Sequence, residues 1–156
     1  MSSVAVQTAF FGRTYDEAMG LLLEARNYVI ADEVRHVRVT QPADRLVLCC
    51  ETMRLTARLT HVMAWLLAQK AVHAGEITLA EAAAEPFALG GRSTCLDEHP
   101  GVAALGDDWL NGLLDRSKRL YIRVSRLDEM VRREVDLAAS RTAASRDSGE
   151  REPLST

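Results

Sequence analysis

Within the stretch CCETMRLTARLTHVMAWLLAQ, residues 49–69, Glu51, Arg54, Arg58, His61 and Trp65 recur at spacings of three, four, three and four. On a helix those intervals place five side chains in one narrow strip. Such a strip could do three kinds of work. The imidazole could act as a general base, Arg and Trp together could anchor a protein partner, or Glu51 and Arg54 could pair along the rim of a core. Catalysis needs a nucleophile or a second ionisable group set with His61, and no recognisable motif supplies one. The strip therefore reads as a core rim or a docking face. If it faces water, replacing Arg54 and Arg58 by Ala leaves folding nearly intact while weakening a partner.

A second constellation lies downstream. Arg116, Arg119, Arg123 and Arg126 share one ridge of a helix, with Arg133 further along. Clustered arginines are what phosphate neutralisation requires, so a small nucleic-acid-binding regulator is the alternative reading. Asp115, Glu129 and Glu134 interrupt that ridge, and no helix-turn-helix spacing stands out. The mixture of signs favours a solvated face or an acidic protein partner. His36, His61, His73 and His99 lie far apart, and Cys49, Cys50 and Cys95 form no Cys-x-x-Cys pair. That spacing assigns no metal site, and buried cysteines acting as small apolar side chains fit better. LGG, residues 89–91, is too short for a phosphate loop and reads as a tight turn. No catalytic, cofactor-binding or metal-ligating residue is assigned.

Three long helices must position these groups. The first opens at Thr14, whose partner Glu17 completes a capping-box pattern, and runs to the low 30s. Ala18, Leu22, Ala25 and Val29, with Leu21 and Tyr28 beside them, form its apolar side. Residues 1–12 read as a flexible lead-in, with Phe10 and Phe11 as an apolar anchor. After a connector holding Val34, Val37, Val39 and Pro42, the second helix spans about 43–74 and stops at Gly75, suited to a left-handed cap. Thr78 and Glu81 open a short helix that Pro86 ends, and a long loop with room for one helical turn follows. The third long helix covers about 107–138, with Trp109, Leu113, Leu120, Val124, Leu127 and Val131 as its stripe, widened by Leu110, Leu114 and Tyr121. From Ser140 the chain is small and polar, which reads as a disordered tail over 140–156.

These elements predict an all-α fold: an elongated antiparallel three-helix bundle over residues 13–139, with a short connecting helix and a long loop before the third helix. Composition agrees. The chain has 156 residues, 47% of them hydrophobic and 5% aromatic, with a formal charge of −3. That mild charge favours neither a nucleic-acid nor a membrane partner. No secretory signal pattern opens the chain and no long uncharged apolar window occurs, so a cytoplasmic protein is expected. In the second helix Leu48, Leu55, Leu59, Leu66 and Met63 lie on one side. Cys49, Met53, Thr60 and Leu67 lie on the next, and Cys50, Ala57, Ala64 and Ala68 on a third. Only about a quarter to a third of the circumference then tolerates water, against roughly half for an ordinary amphipathic helix. The surplus apolar surface calls for another subunit, most simply in a two-fold homodimer.

YDEAMGLLLEARNY in the first helix, ETMRLTARLTHVMAWLLAQKAVHAGEIT in the second and DRSKRLYIRVSRLDEMVRRE in the third resemble the alphaproteobacterial RcdA family, the regulators of CtrA degradation. The likeness extends over roughly residues 9–135 and includes LGG and Cys95. The resemblance implies a cytoplasmic, non-enzymatic adaptor, recruited to the cell pole, that forms three-helix-bundle homodimers and needs no cofactor. It implies delivery of protein cargo to the ClpXP protease during the cell cycle. ClpX is then primed by a CpdR-type response regulator, and a PopA-type cyclic-di-GMP effector docks to deliver CtrA. The family carries no short motif that assigns contact residues. The strip Glu51, Arg54, Arg58, His61, Trp65 and the ridge Arg116, Arg119, Arg123, Arg126 remain candidate protein-interaction surfaces on chemical grounds alone.

Overall fold

The computed structural model describes residues 2–35, 41–97 and 105–149. Three long helices, α1 (Ser2–Arg35), α2 (Pro42–Ala74) and α5 (Asp108–Gly149), form the bundle. Two single-turn helices, α3 (Leu79–Ala83) and α4 (Arg92–Leu96), lie on the segment between α2 and α5. The described residues contain no strand, as the all-α reading expected.

Local chemistry sets most of the helix ends. Pro42 supplies a fixed φ in the first turn of α2, where a missing N–H costs nothing. Gly75 closes α2 at φ 74°, donating its N–H to the Val72 carbonyl at 3.0 Å while Glu76 donates to the Ala71 carbonyl at 2.9 Å. That pair of bonds satisfies two orphan carbonyls. In α3 the Glu81 N–H donates to the Thr78 hydroxyl, and the Thr78 N–H donates to the Glu81 carboxylate at 2.8 Å. The Thr78 backbone donor, then its hydroxyl, hold the Glu81 carboxyl below the usual carboxylate range. Asp107 starts α5 by accepting the Leu110 N–H at 2.9 Å, and its other oxygen accepts the Tyr28 hydroxyl at 2.8 Å.

Helix direction follows from side-chain pairs. Glu17 pairs with Arg123 and Glu24 with Arg116, so α1 and α5 run antiparallel. Lys70 lies over the Tyr15 ring, whereas Leu22 to Ile30 line a groove with Thr56 and Leu59, so α1 and α2 are antiparallel too. Two helices each antiparallel to α1 must be parallel to one another. The chain can place α5 alongside α2 in the same sense only by travelling back along the bundle after α2, and residues 88–97 lie on that return.

The core draws Ala18, Leu21, Ala25 and Tyr28 from α1, Leu48, Leu55, Leu59, Val62, Trp65 and Leu66 from α2, and Leu110, Leu113, Leu120, Tyr121 and Val124 from α5. Leu89 and Cys95 join it from the returning segment. Phe11 acts as the expected anchor, its ring 5.9 Å from Trp65 and 5.4 Å from His73; the Phe10 side chain lies outside the described residues. Val29 and Trp109, expected in the core, are instead 39% and 37% exposed. Trp109 meets the Tyr28 ring edge-on at 5.3 Å.

Two boundaries differ from the sequence reading. The expected lead-in over residues 1–12 is helical from Ser2, and Thr14, the expected cap, is buried inside α1. A capping box is a local signal, and here α2 offers a neighbour to the residues before it, with Phe11 against Trp65 and His73. Glu17 reaches across to Arg123 rather than back to Thr14. The expected disordered tail is helical from Ser140 to Gly149, and residues 150–156 lie outside the described residues. Ser140 and Thr142 donate their hydroxyls to the Asp136 and Ala138 carbonyls at 2.9 and 3.0 Å. Small polar residues are thus accommodated in the helix, their hydroxyls bonded back to its own carbonyls. Val37 and Val39 of the expected connector also lie outside the described residues.

Candidate functional site

The polar strip of α2 points into the protein. Glu51, Arg54, Arg58 and Trp65 are each at most 9% exposed, and His61 is half-buried. The neighbouring row expected to be covered faces solvent: Met53 and Leu67 are 68% and 50% exposed and Cys49 and Thr60 are exposed with them, as are Leu46 at 65%, Cys50, Thr56 and Ala64 beside that row. Every charged residue between Leu46 and Gln69 is therefore buried, and the outward face over that span carries no charge. The expected water-tolerant face is inverted.

The returning segment explains the inversion. An irregular chain crossing a helix seam needs partners for its N–H and C=O groups, because an unpaired buried backbone group costs as much as a lost hydrogen bond. The strip and the facing side of α5 supply those partners between them. Near the start of the crossing, Asp128 of α5 accepts three donors: Trp65 Nε1 at 2.8 Å, the Leu89 N–H at 3.3 Å and Arg132 Nε at 2.8 Å. Tyr121 donates its hydroxyl to the Gly90 carbonyl at 2.7 Å. The His61 imidazole lies against the Gly90–Gly91 turn, where a Cβ on Gly90 would sit 3.3 Å from the ring and one on Gly91 would collide with it. Gly91 also has φ 76°, so LGG is a tight turn for two independent reasons.

Further along, Arg58 donates Nε to the Cys95 carbonyl at 2.7 Å and Nη1 to the Leu114 carbonyl at 3.1 Å, joining three elements. Arg54 pairs with Glu51 on its own helix and approaches Asp97 at 3.7 Å. His61, Arg58 and Arg54 thus meet residues 90–91, 95 and 97 in reverse chain order, and Trp65 shares Asp128 with Leu89. Arg54 Nε has no hydrogen-bond partner among the described residues.

Burial shapes the titration of the seam. Tyr121 is pushed up to about 12, first by burial and then by the nearby Cys95. Burial likewise raises the Cys95 thiol, against the lowering influence of Arg58. A thiol held protonated at neutral pH is a packing group rather than a nucleophile. Sequence reasoning missed Asp128 and Tyr121 as members of this site. The one available signal was an acidic residue at helical spacing from Val124 and Tyr121, inside an otherwise apolar stripe.

The arginine ridge of α5 has a different character. Arg116 pairs with Glu24 and Arg123 with Glu17, which ties α5 to α1. The Arg116 hydrogen bond holds the Glu24 carboxyl below its usual range. Arg119 pairs with Asp115 at 3.1 Å on the exposed face of the same helix, and Arg126 is exposed. Half of the ridge is thereby spent on bundle assembly, and the remainder is not a field of one sign. Opposite the seam, Leu22, Leu23, Arg26, Val29, Ile30 and Thr56 line an open groove of about 510 Å³ that adjoins the uncharged face of α2. Among the described residues no group of three His, Cys, Asp or Glu could hold a metal ion, and no helix is long and apolar enough to cross a membrane.

Comparison with known proteins adds an independent line. Residues 3–150 match the model of a family described as a protein of unknown function, DUF1465. The crystal structure of RcdA from Caulobacter crescentus is similar, with a TM-score of 0.59 and 36% sequence identity over 78% of this chain and 89% of that one. No curated protein matches the chain.

Proposed function

Because the chain belongs to the DUF1465 family, the family of RcdA, we propose that it is a non-enzymatic adaptor that binds protein cargo and helps deliver it to the ClpXP protease. The observation that supports this reading is the outward face of α2. A water-facing surface without a charge from Leu46 to Gln69, bearing Leu46, Met53 and Leu67, is unusual for a monomer and ordinary for a surface that meets another protein. The groove beside it between α1 and α2 extends the same apolar patch.

On this reading the face joins two copies of the chain, and the dimer presents each remaining surface twice. Duplication raises apparent affinity through effective concentration. The bundle itself carries out no chemistry: its buried ionisable groups are engaged in holding the returning segment. The setting is cytoplasmic and linked to the cell cycle, with a CpdR-type regulator priming ClpX and CtrA-type regulators among the cargo.

Reconstituted degradation tests the reading. Adding the protein to ClpXP, a CpdR-type regulator and a candidate cargo should accelerate loss of the cargo. Unchanged rates across cargoes of this class would sink the adaptor role. Sedimentation at micromolar concentration tests the dimer separately, and a clean monomer would remove it.

A further inference from the structure

α5 presents something different on each side. Its inward stripe, with Leu113, Leu120 and Val124, is buried in the bundle core. On the outward side Arg119, Ile122, Arg126, Met130, Arg133 and Leu137 follow one another at spacings of three, four, four, three and four. On a helix those intervals confine the six side chains to about a quarter of the circumference. Met130 and Leu137 are 63% and 58% exposed, so the neighbouring arginine stems leave them uncovered. Arg119 is taken by Asp115, whereas Arg126 and Arg133 are exposed and no ion pair to either occurs among the described residues.

Single apolar residues scattered over a surface are ordinary. Here two of them stand seven residues apart, interleaved with two unpaired guanidinium groups also seven residues apart. A seven-residue repeat is the spacing at which one helix meets another along its length. Arg and Met are also residues that protein interfaces favour over the rest of the surface. We infer that residues 126–137 of α5 form a docking strip for an acidic amphipathic helix of a protein partner. Its apolar side chains pack on Met130 and Leu137, and its carboxylates meet Arg126 and Arg133. Charge complementarity selects this occupant. A second copy of the strip would bring like charges together. Nucleic acid would use the guanidinium groups and leave Met130 and Leu137 without a partner. A lipid surface takes helices whose apolar and basic faces lie on opposite sides, whereas here both share one side and the other is buried in the core. The strip is separate from the α2 face on which the adaptor reading rests, and its test contains no protease.

The test titrates the full chain into a fluorescent three-heptad helical peptide, with Leu at the a and d positions and Glu at e and g, read by anisotropy. A counterpart with Lys in place of Glu is the control, beside duplex DNA and phosphatidylglycerol vesicles. The acidic peptide should bind, and the basic one about tenfold more weakly. Arg126→Glu combined with Arg133→Glu should reverse that preference. Met130→Ser combined with Leu137→Ser should weaken the acidic peptide about tenfold. All four positions are exposed, so helical signal and melting should stay as in wild type. Equal binding of the two peptides, or acidic-peptide binding that survives both double variants, would overturn the inference. So would no binding of the acidic peptide, or binding of DNA or vesicles in its place, since the strip would then serve phosphates rather than carboxylates. Loss of helical signal in both double variants would overturn it as well, because those side chains would then belong to the fold.

Discussion

α2 and α5 lie side by side in the same direction, yet they divide their residues in opposite ways. α5 buries Leu110, Leu113, Leu120 and Val124 and turns Arg119, Arg126 and Arg133 to water. α2 buries Glu51, Arg54 and Arg58 and turns Leu46, Met53 and Leu67 to water. The reason is what each helix meets. α5 packs its apolar stripe against the core and meets the returning segment through Asp128 and Tyr121. α2 also meets the returning segment, bonding the Cys95 carbonyl with Arg58, and among the described residues it leaves Leu46, Met53 and Leu67 of its other face exposed. A buried polar strip is stable when every group finds a partner. An exposed apolar strip is kept when another surface is to cover it.

Five experiments would break or sharpen that contrast. The largest effect is expected from Leu59→Asp, which puts a charge among residues that are 1% exposed or less, such as Leu55 and Val62; a loss of about 5 kcal/mol in chemical denaturation is expected. Asp128→Ala comes next. It strips the partner from Trp65 Nε1, the Leu89 N–H and Arg132 together, and should cost about 3 kcal/mol. A loss below the scatter of surface substitutions would show that water replaces the carboxylate easily.

Arg58→Ala and Arg119→Ala compare the two helices directly. Arg58 bonds two carbonyls in a buried seam, and its removal should cost about 2 kcal/mol. Arg119 has one exposed pair on its own helix, and its loss should stay within about 0.5 kcal/mol. Equal values would dissolve the distinction between the buried strip and the ridge. This reverses the expectation, reasonable for an exposed strip, that Arg54 and Arg58 could be removed with folding nearly intact.

The seam also predicts an alkaline limit. Tyr121 titrates near 12 in the folded chain, against about 10 when unfolded, so the folded state holds a proton that the unfolded state has released in that interval. Its contribution is complete below pH 10 and lost as pH rises towards 12. The magnitude is about 3 kcal/mol, at roughly 1.4 kcal/mol per unit. Cys95 acts with the same sign, because burial raises its thiol from the ordinary 9.0. Tyr121→Phe should flatten the stability profile between pH 10 and 12; an unchanged slope would mean that another group sets it. The smallest effect on folding belongs to Met53→Glu on the uncharged face, within about 0.5 kcal/mol for an exposed position. Sedimentation should nevertheless shift towards monomer, and unchanged mass would place any self-association elsewhere.

Much of the fold was legible along the chain because its signals are local. Gly75, the Thr78–Glu81 box, the three long helices and the apolar stripe of the last one depend on neighbours within a few residues. Thr14 and Ser140 misled for the same reason, since each reports local preference and neither knows that its helix continues. The strip Glu51, Arg54, Arg58, His61 and Trp65 was correctly placed on one side of one helix. Asp128, the partner of Trp65, and Tyr121, which bonds the Gly90 carbonyl beside His61, were not tied to it, because they lie over fifty positions away and nothing in the spacing joins them.

The sequence by itself determined that α2 has one polar line and too much apolar circumference, since helical periodicity fixes which residues share a side. Only the tertiary structure decided which side is inside. Periodicity leaves the sign of a face open when the polar groups are few enough to be satisfied by another chain segment. Here that segment is residues 88–97, whose Cys95 carbonyl takes Arg58 and whose Asp97 lies by Arg54, so the charged side turned inward and the uncharged side was left to the water.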